Sequence, residues 1–373
     1  MTKRLTKYAP MLVFCAFIAV CFLVNLIKPD AEISELENRE LAQRPELTLK
    51  TFFSGKFMQD YEAYITDQFF ARDTWVTAKA CAELALLKTD INGVLIGSDG
   101  LLVQQFAAPD AERVRANASF VEAFAASAGV PVYFTVIPSA AALWGDRLPA
   151  NAQNADQQAL IEEIFSLVPS ARTIDACAAL SAHVDEPIYF QTDHHWTSLG
   201  AYYGYTAACE AMGLDAAPLG APFLSESGFF GTASSACGLR PGEGDSVELY
   251  VPAENAAAVT VYEGSGERAA ALYDMDAFRK SDKYAVFLGG NYPRVVIRSA
   301  VSDGGRLLYI KDSYANACAP FFTENFSEIH MIDLRYYKKS VADYIRDNKI
   351  DAVFVAYSAA NFVSDTNMMF MTK

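Results

Sequence analysis

Clusters of basic side chains are missing from this sequence. Its 373 residues carry 30 Lys and Arg against 45 Asp and Glu, a formal net charge of −15. No Lys/Arg run occurs after the first few residues, and phosphate binding needs one, so a nucleic-acid partner is disfavoured. Acidity itself says only that the protein stays soluble. Paired cysteines are missing too. Of seven, Cys15 and Cys21 lie in an apolar amino-terminal run, and Cys81, Cys177, Cys209, Cys237 and Cys318 are scattered beyond it. Odd in number and without a C-x-x-C pair, they indicate neither a zinc site nor a disulfide framework, and most read as small core residues. A Gly-rich nucleotide loop, internal repeats and low-complexity tracts are absent, as are carboxylates at the fixed offsets of a metal site. No cofactor is expected.

Histidine is scarce: there are four, and two stand side by side in Tyr189-Phe190-Gln191-Thr192-Asp193-His194-His195-Trp196-Thr197. In an extended segment Asp193 and His195 point to the same side, so the carboxylate takes the imidazole N–H and fixes its tautomer, while His194 points the other way. The plainer alternative is a polar helix entry, with Trp196 as a core plug and Thr197 as N-cap of a helix to about Met212. A second stretch favours chemistry. In Leu307-Leu308-Tyr309-Ile310-Lys311-Asp312-Ser313-Tyr314-Ala315-Asn316 an apolar run that reads as a buried strand stops at a serine, and residues suited to a helix start follow. A serine at the carboxyl end of a sheet strand, capping a helix, is where an open α/β fold presents a nucleophile.

Length allows one large domain or two ordinary ones, and 52% hydrophobic residues is ample for a core. Lys3, Arg4 and Lys7 precede the uncharged run Tyr8 to Ile27, which has the length of a membrane-crossing helix. An uncleaved anchor over 1–29 is favoured over a signal peptide, in a single-pass arrangement with the amino terminus cytoplasmic. Residues 30–105 read as a stalk, a helical segment and a hairpin. Within them, Ser34 to Arg39 is a short helix or docking strip, Phe52 to Leu87 is helical with a break at Asp67 to Asp73, and a hairpin turns at Asp99-Gly100.

Residues 106–373 alternate helix and strand, which implies an α/β fold with a parallel sheet covered on both faces. Helices are expected over 110–127, 155–167 and 341–347. Strands are expected over 130–137, 173–175, 284–288, 295–299, 307–310, 329–334 and 352–357. Gly-rich turns at about 215–282, with strands near 247–251 and 258–262, suggest an inserted β-rich lobe.

On these stretches the chain resembles the DHHW family of bacterial membrane-anchored proteins, whose naming tetrad stands here as Asp193-His194-His195-Trp196. The likeness extends to Glu37-Asn38-Arg39, Asp67-Gln68-Phe69-Phe70-Ala71-Arg72-Asp73, Gly289-Gly290-Asn291-Tyr292-Pro293 and Lys311 to Asn316. That family in turn is similar to the alginate O-acetyltransferases, whose SGNH-hydrolase-like domain carries an Asp-x-His pair ahead of its serine. The resemblance implies an SGNH-like parallel sheet flanked by helices, with Asp193 orienting, His195 as base and Ser313 attacking. It departs at His194, where those enzymes have an ordinary residue. It also implies an extracytoplasmic O-acyltransferase or esterase acting on a polysaccharide, with acetyl supplied by a membrane-bound O-acyltransferase partner.

Such chemistry needs oxyanion donors, for which the Ser313 N–H and the Asn291 amide are candidates. Lys311 and Asp312 read as a charge pair at the strand end, Asn316 as a cap one turn beyond Ser313, and Arg335 as a group stacked on tyrosines at a ligand-binding edge. Two competing readings remain: a metal-dependent phosphoesterase with Asp193, His194, His195 and Asp312 as ligands, and a non-catalytic glycan-binding or scaffold protein.

Overall fold

The structure, a computed structural model, describes residues 2–264 and 266–373, with side chains from residue 8 onward; Lys3, Arg4 and Lys7 therefore lie outside the described side chains. Contacts divide the chain into two units, Met1–Lys88 with Cys237–Leu239, and Thr89–Ala236 with Arg240–Lys373.

In the first unit a helix spans Thr2–Ile27, and its segment Tyr8–Ile27 is long and apolar enough to cross a membrane. Strands β1 (Ile33–Ser34) and β2 (Arg39–Glu40) pair antiparallel, so Ser34 to Arg39 is a small hairpin and not a helix. Asn38 takes a positive φ of 49° at its turn, a conformation asparagine tolerates better than most residues. Helices Lys56–Asp67 and Arg72–Ala85 follow, separated where Ala71 is left-handed. The motif residues of this unit clasp one another: Arg39 meets Asp67 at 2.6 Å and Glu37 at 2.7 Å, and Arg72 meets Glu37 at 2.8 Å. The hydrogen bond from Arg39 holds the Asp67 carboxyl down at about 2, against the opposing effect of burial.

In the second unit β3 (Asp90–Ile91), β4 (Val94–Ile96) and β5 (Leu102–Gln104) form a small sheet. Its β4–β5 turn has positive φ at Asp99 and Gly100, where the sequence places the hairpin. The main sheet has eight strands: β6 (Val132–Ile137), β7 (Arg172–Thr173), β10 (Ala256–Glu263), β11 (Gly266–Ala270), β12 (Arg294–Ser299), β13 (Arg306–Lys311), β14 (Glu328–Ile332) and β15 (Ala352–Ser358), in the order β11-β10-β12-β14-β13-β15-β6-β7. The pairs from β14 to β7 are parallel, and β12, β10 and β11 continue the sheet antiparallel at one edge. The β-rich stretch expected at about 215–282 thus divides. Strands β8 (Leu224–Phe229) and β9 (Asp245–Leu249) pair separately, while β10 and β11 join the main sheet.

The central strands are apolar throughout because both faces are covered. Tyr133, Leu307, Tyr309, Phe354 and Ala356 enter one core with Trp196 and the helix Ser198–Met212, while Phe134, Leu308, Ile310, Val353 and Val355 enter another with helices Ala111–Ser127, Gln157–Ser166 and Val341–Asn348. Alternation along each strand sends neighbours to opposite cores. Each Leu, Ile, Val or Phe among them contributes roughly 1.5–3 kcal/mol by burial.

One expected strand, 284–288, is absent. Tyr284, Val286, Phe287 and Leu288 are buried, but the segment is a short 3-10 turn that runs into positive φ at Leu288, Gly289 and Gly290. Apolarity there reports core packing, and successive left-handed residues prevent a ladder.

Candidate active site

The carboxyl ends of β6, β13, β14 and β15 share one edge of the parallel sheet, where open α/β folds bind ligands. Ser313 stands two residues beyond β13 in a turn ahead of the short helix Ala315–Cys318. Its Oγ lies 2.7 Å from His195 Nε2, and His195 Nδ1 lies 2.6 Å from Asp193 Oδ1. The Ser313 hydroxyl therefore faces the imidazole and caps no helix; its carbonyl accepts from Asn316 N.

Asp193 and His195 do pair, but not through strand alternation. The segment from Gln191 to His195 is a series of bends pinned by two carboxylates. Asp245 accepts from the N–H groups of Gln191 and Thr192, each at 2.8 Å, and Asp193 accepts from its neighbour's His195 N at 2.9 Å. Side-chain carboxylates thus satisfy donors that a strand partner would otherwise take. The other oxygen of Asp193 accepts from Thr232 N at 2.8 Å and Thr232 Oγ1 at 2.9 Å. Gly231 permits that approach, since a Cβ there would lie 2.2 Å from the Asp193 Cβ.

The two turns are bonded in both directions. Trp196 Nε1 donates to the Tyr314 carbonyl at 2.9 Å, and the Tyr314 hydroxyl donates to the His194 carbonyl. Tyr284 stacks on His195, ring centroids 3.8 Å apart and planes within 9°, and its hydroxyl donates to the Ser313 carbonyl at 3.0 Å.

A family model described as DHHW protein matches residues 114–332, more than half of the chain and both of these turns. The chain belongs to the DHHW family. Among solved structures it is similar to a DHHW family protein from Eubacterium siraeum, with 29% identity and a TM-score of 0.64 over 76% of this chain and 95% of that one. It is also similar to Bacillus cereus PatB1, in a structure with a sulfonyl adduct, with 23% identity and a TM-score of 0.62 over 75% of this chain and 98% of that one. The O-acetyltransferase domain of Pseudomonas putida AlgJ aligns with 16% identity and a TM-score of 0.46 over 73% and 93% of the two chains. No curated protein matches.

In the DHHW tetrad each member thus has its own bonding. Asp193 grips His195 and Thr232; Trp196, which composition marks as a core plug, is also a donor to the serine turn. Thr197 caps the following helix through Gly200 N at 3.2 Å, as the sequence suggests. Burial opposes the Asp193 charge, but the fields of His195 and His194, with the hydrogen bonds from His195 and Thr232 N, hold its carboxyl well below the usual range. Burial, then the neighbouring His195, pushes His194 down to about 4.

Lys311 and Asp312 do not pair with each other, because adjacent strand-end residues point to opposite sides. Lys311, fully buried, donates to Asn316 Oδ1 at 2.7 Å and Asn291 Oδ1 at 2.8 Å, with Asp333 at 4.0 Å. Burial pulls its ammonium down to about 8 despite Asp333. Asp312 accepts from Tyr314 N at 3.0 Å and from Ser358 N and Asn361 Nδ2, each at 2.8 Å. It braces the serine turn against the end of β15. Asn316 does not cap a helix: its side chain holds Lys311. The Asn291 carbonyl oxygen is engaged by Lys311, while its amide N–H groups are the donors an oxyanion would need. Arg335 forks onto Asp333 at 2.9 and 2.6 Å with Tyr336 5.5 Å away, so its guanidinium is committed within the chain.

The four residues of the metal-ligand reading do not converge. Asp193, His194 and His195 offer ligand atoms within 4.8 Å, but Asp312 belongs to the separate Ser358 network. Each Asp193 oxygen already accepts two hydrogen bonds, so a cation would have to displace the groups that hold the tetrad. Thr232, Asp245, Gly231 and Tyr284 escape sequence reasoning. Each lies 29 or more positions from its partner, and none sits in a recognisable motif.

Proposed function

We propose that this DHHW protein is a serine-dependent O-acyltransferase or esterase that acts on acetyl groups of a cell-envelope polysaccharide. The observation that carries the reading is the continuous relay from Ser313 Oγ through His195 to Asp193, at 2.7 and 2.6 Å. A serine hydroxyl is a weak nucleophile near neutrality, and these three groups are the parts that activate it. His195 Nε2 takes the Ser313 proton as Oγ attacks the acetyl carbonyl. Asp193 stays ionised and stabilises the imidazolium, which then gives its proton to the departing alkoxide. Water or a sugar hydroxyl next attacks the acetyl-Ser313 carbonyl, losing its proton to His195, and Ser313 Oγ recovers it. The oxyanion of each tetrahedral intermediate would be met by the Ser313 N–H and the Asn291 amide.

The apolar helix anchors the chain in a membrane, and the basic flank of Lys3, Arg4 and Lys7 keeps its amino terminus cytoplasmic. The body then works outside, where acetyl-coenzyme A is not available, so a multi-spanning membrane-bound O-acyltransferase hands acetyl across. Turnover of a chromogenic acetyl ester tests the chemistry. Ser313→Ala and His195→Ala should fold and lose roughly 10²–10⁴-fold in rate, with the double variant no slower than either. Retained turnover in Ser313→Ala contradicts the reading.

A further inference from the structure

His194 is the titratable tetrad residue without a part in the Ser313 relay, and proton accounting fixes what it offers. Thr232 has one hydroxyl proton, and Oγ1 lies 2.9 Å from Asp193 Oδ2, an ionised carboxylate oxygen that can only accept. Thr232 therefore donates there. His194 Nδ1 lies 2.5 Å from the same Oγ1, so at that contact Thr232 accepts and Nδ1 carries the hydrogen. A neutral imidazole with hydrogen on Nδ1 has a bare lone pair on Nε2. The low pKa keeps it neutral near pH 7. His194 Nε2 has no hydrogen-bond partner among the described residues.

The residue that carries this lone pair borders a cavity. A cavity of about 220 Å³ beside the tetrad is lined by His194, Asp193 and Tyr314, but not by His195 or Ser313. The His194 ring lies 3.8 Å from the His195 ring, and its side chain is 29% exposed against 7% for His195. His194 is thus the imidazole of the pair that borders the cavity, with His195 directly behind it. Gln104, Gln105, Ser139, Asn361 and Ser364 supply most of the polar lining, and apart from Asp193 no charged residue contributes. Amides and hydroxyls without a Lys or Arg suit an uncharged polyhydroxylated unit and give a carboxylate no partner.

We infer that His194 is the recognition residue for the acyl acceptor: its Nε2 accepts a hydrogen bond from one hydroxyl of a neutral sugar unit in this cavity, while the adjacent hydroxyl is delivered to His195. Two adjacent imidazoles, ring centroids 3.8 Å apart and planes tilted by 38°, each taking one hydrogen bond, match two neighbouring oxygens on a sugar ring. In the transfer step the second hydroxyl gives its proton to His195 as its oxygen bonds to the acetyl carbon. The Ser313 Oγ–carbon bond breaks, and the proton passes to Ser313 Oγ. The inference rests on the proposed acyl chemistry and adds the acceptor class to it.

The test uses the full-length chain in detergent, nitrophenyl acetate as donor, and a methyl hexopyranoside with its monodeoxy analogues as acceptors. Nitrophenol release reports acylation, and mass analysis of the glycoside reports transfer. The wild type should transfer to the parent glycoside and about tenfold less to the analogue lacking the hydroxyl adjacent to the acetylated one, the loss of one neutral hydrogen bond. His194→Phe keeps the ring and removes the acceptor atom. It should lower the ratio of transfer to hydrolysis about tenfold with the parent sugar and no longer distinguish the deoxy analogue, as a coupled pair requires. His194→Gln, whose amide oxygen reaches the Nε2 position, should recover part of the ratio.

An unchanged ratio in His194→Phe, hydrolysis without transfer to any glycoside, or equal loss of hydrolysis and transfer in both variants each overturns the inference. If the wild type never acylates Ser313, the acyl chemistry itself falls, which is a different result from acylation without acceptor selectivity.

Discussion

Both units join motif residues that lie far apart in sequence, but they do so in opposite environments. In the first, Glu37, Arg39, Asp67 and Arg72 meet as partly exposed ion pairs, the Arg39 side chain 40% exposed and the others 11–19%. In the second, Asp193, His195, Lys311 and Asp312 are all buried, and each is matched by several specific donors or acceptors. Water and salt screen the first set, so a lost pair there costs little. Burial leaves the second set no substitute partner, so each missing atom strands another. Motif residues of the first kind act as a clasp; those of the second fix protons and geometry.

The comparison breaks most visibly at Asp193. Asp193→Asn keeps the size of the side chain but removes the charge that stabilises a protonated His195, and ester turnover should fall by about 10³–10⁴-fold with little change in fold. A loss of less than tenfold would mean that the buried carboxylate only packs the turn.

Lys311 sharpens the comparison through pH. Its folded pKa, about 8 against an ordinary 10.5, is depressed, so between those values the unfolded chain binds more protons and stability rises with pH. Below about pH 8 the penalty for burying the charge is constant. Denaturant unfolding of the wild type relative to Lys311→Met should therefore improve from pH 8 to pH 10, and a flat difference would show an unperturbed lysine.

The smallest effect belongs to the clasp. Arg39→Ala should cost at most about 1 kcal/mol, less in high salt, because the guanidinium is partly in solvent. Asp67 is depressed to about 2 from 3.8, so its contribution is present above about pH 4 and fades as pH falls through 2. A loss several times larger, insensitive to salt, would place the clasp with the buried networks.

Sequence periodicity locates most of the second unit because its strands are buried on both faces. The runs at Val132 to Ile137, Leu307 to Ile310 and Ala352 to Tyr357 stand out for that reason. The same apolar signal misleads at 284–288, where core packing occurs without a ladder. Asp193, His195 and Ser313 can be grouped through the resemblance, but the geometry that unites them is invisible locally. Asp245 and Gly231 shape the tetrad turn from distant strands and loops, and Tyr284 reaches His195 from an irregular segment. Neighbourhood in sequence also misleads: Lys311 and Asp312 are adjacent, yet they serve networks on opposite sides of one strand.

The most direct test of the relay is covalent labelling of Ser313. Sulfonyl fluorides react with activated hydroxyl groups, so the full-length protein would be treated with an aryl sulfonyl fluoride and digested for mass spectrometry. The expected result is a single sulfonyl group on the peptide containing Ser313, absent from Ser313→Ala and strongly slowed in His195→Ala. No adduct, or the same stoichiometry in Ser313→Ala, would contradict an activated serine at this position.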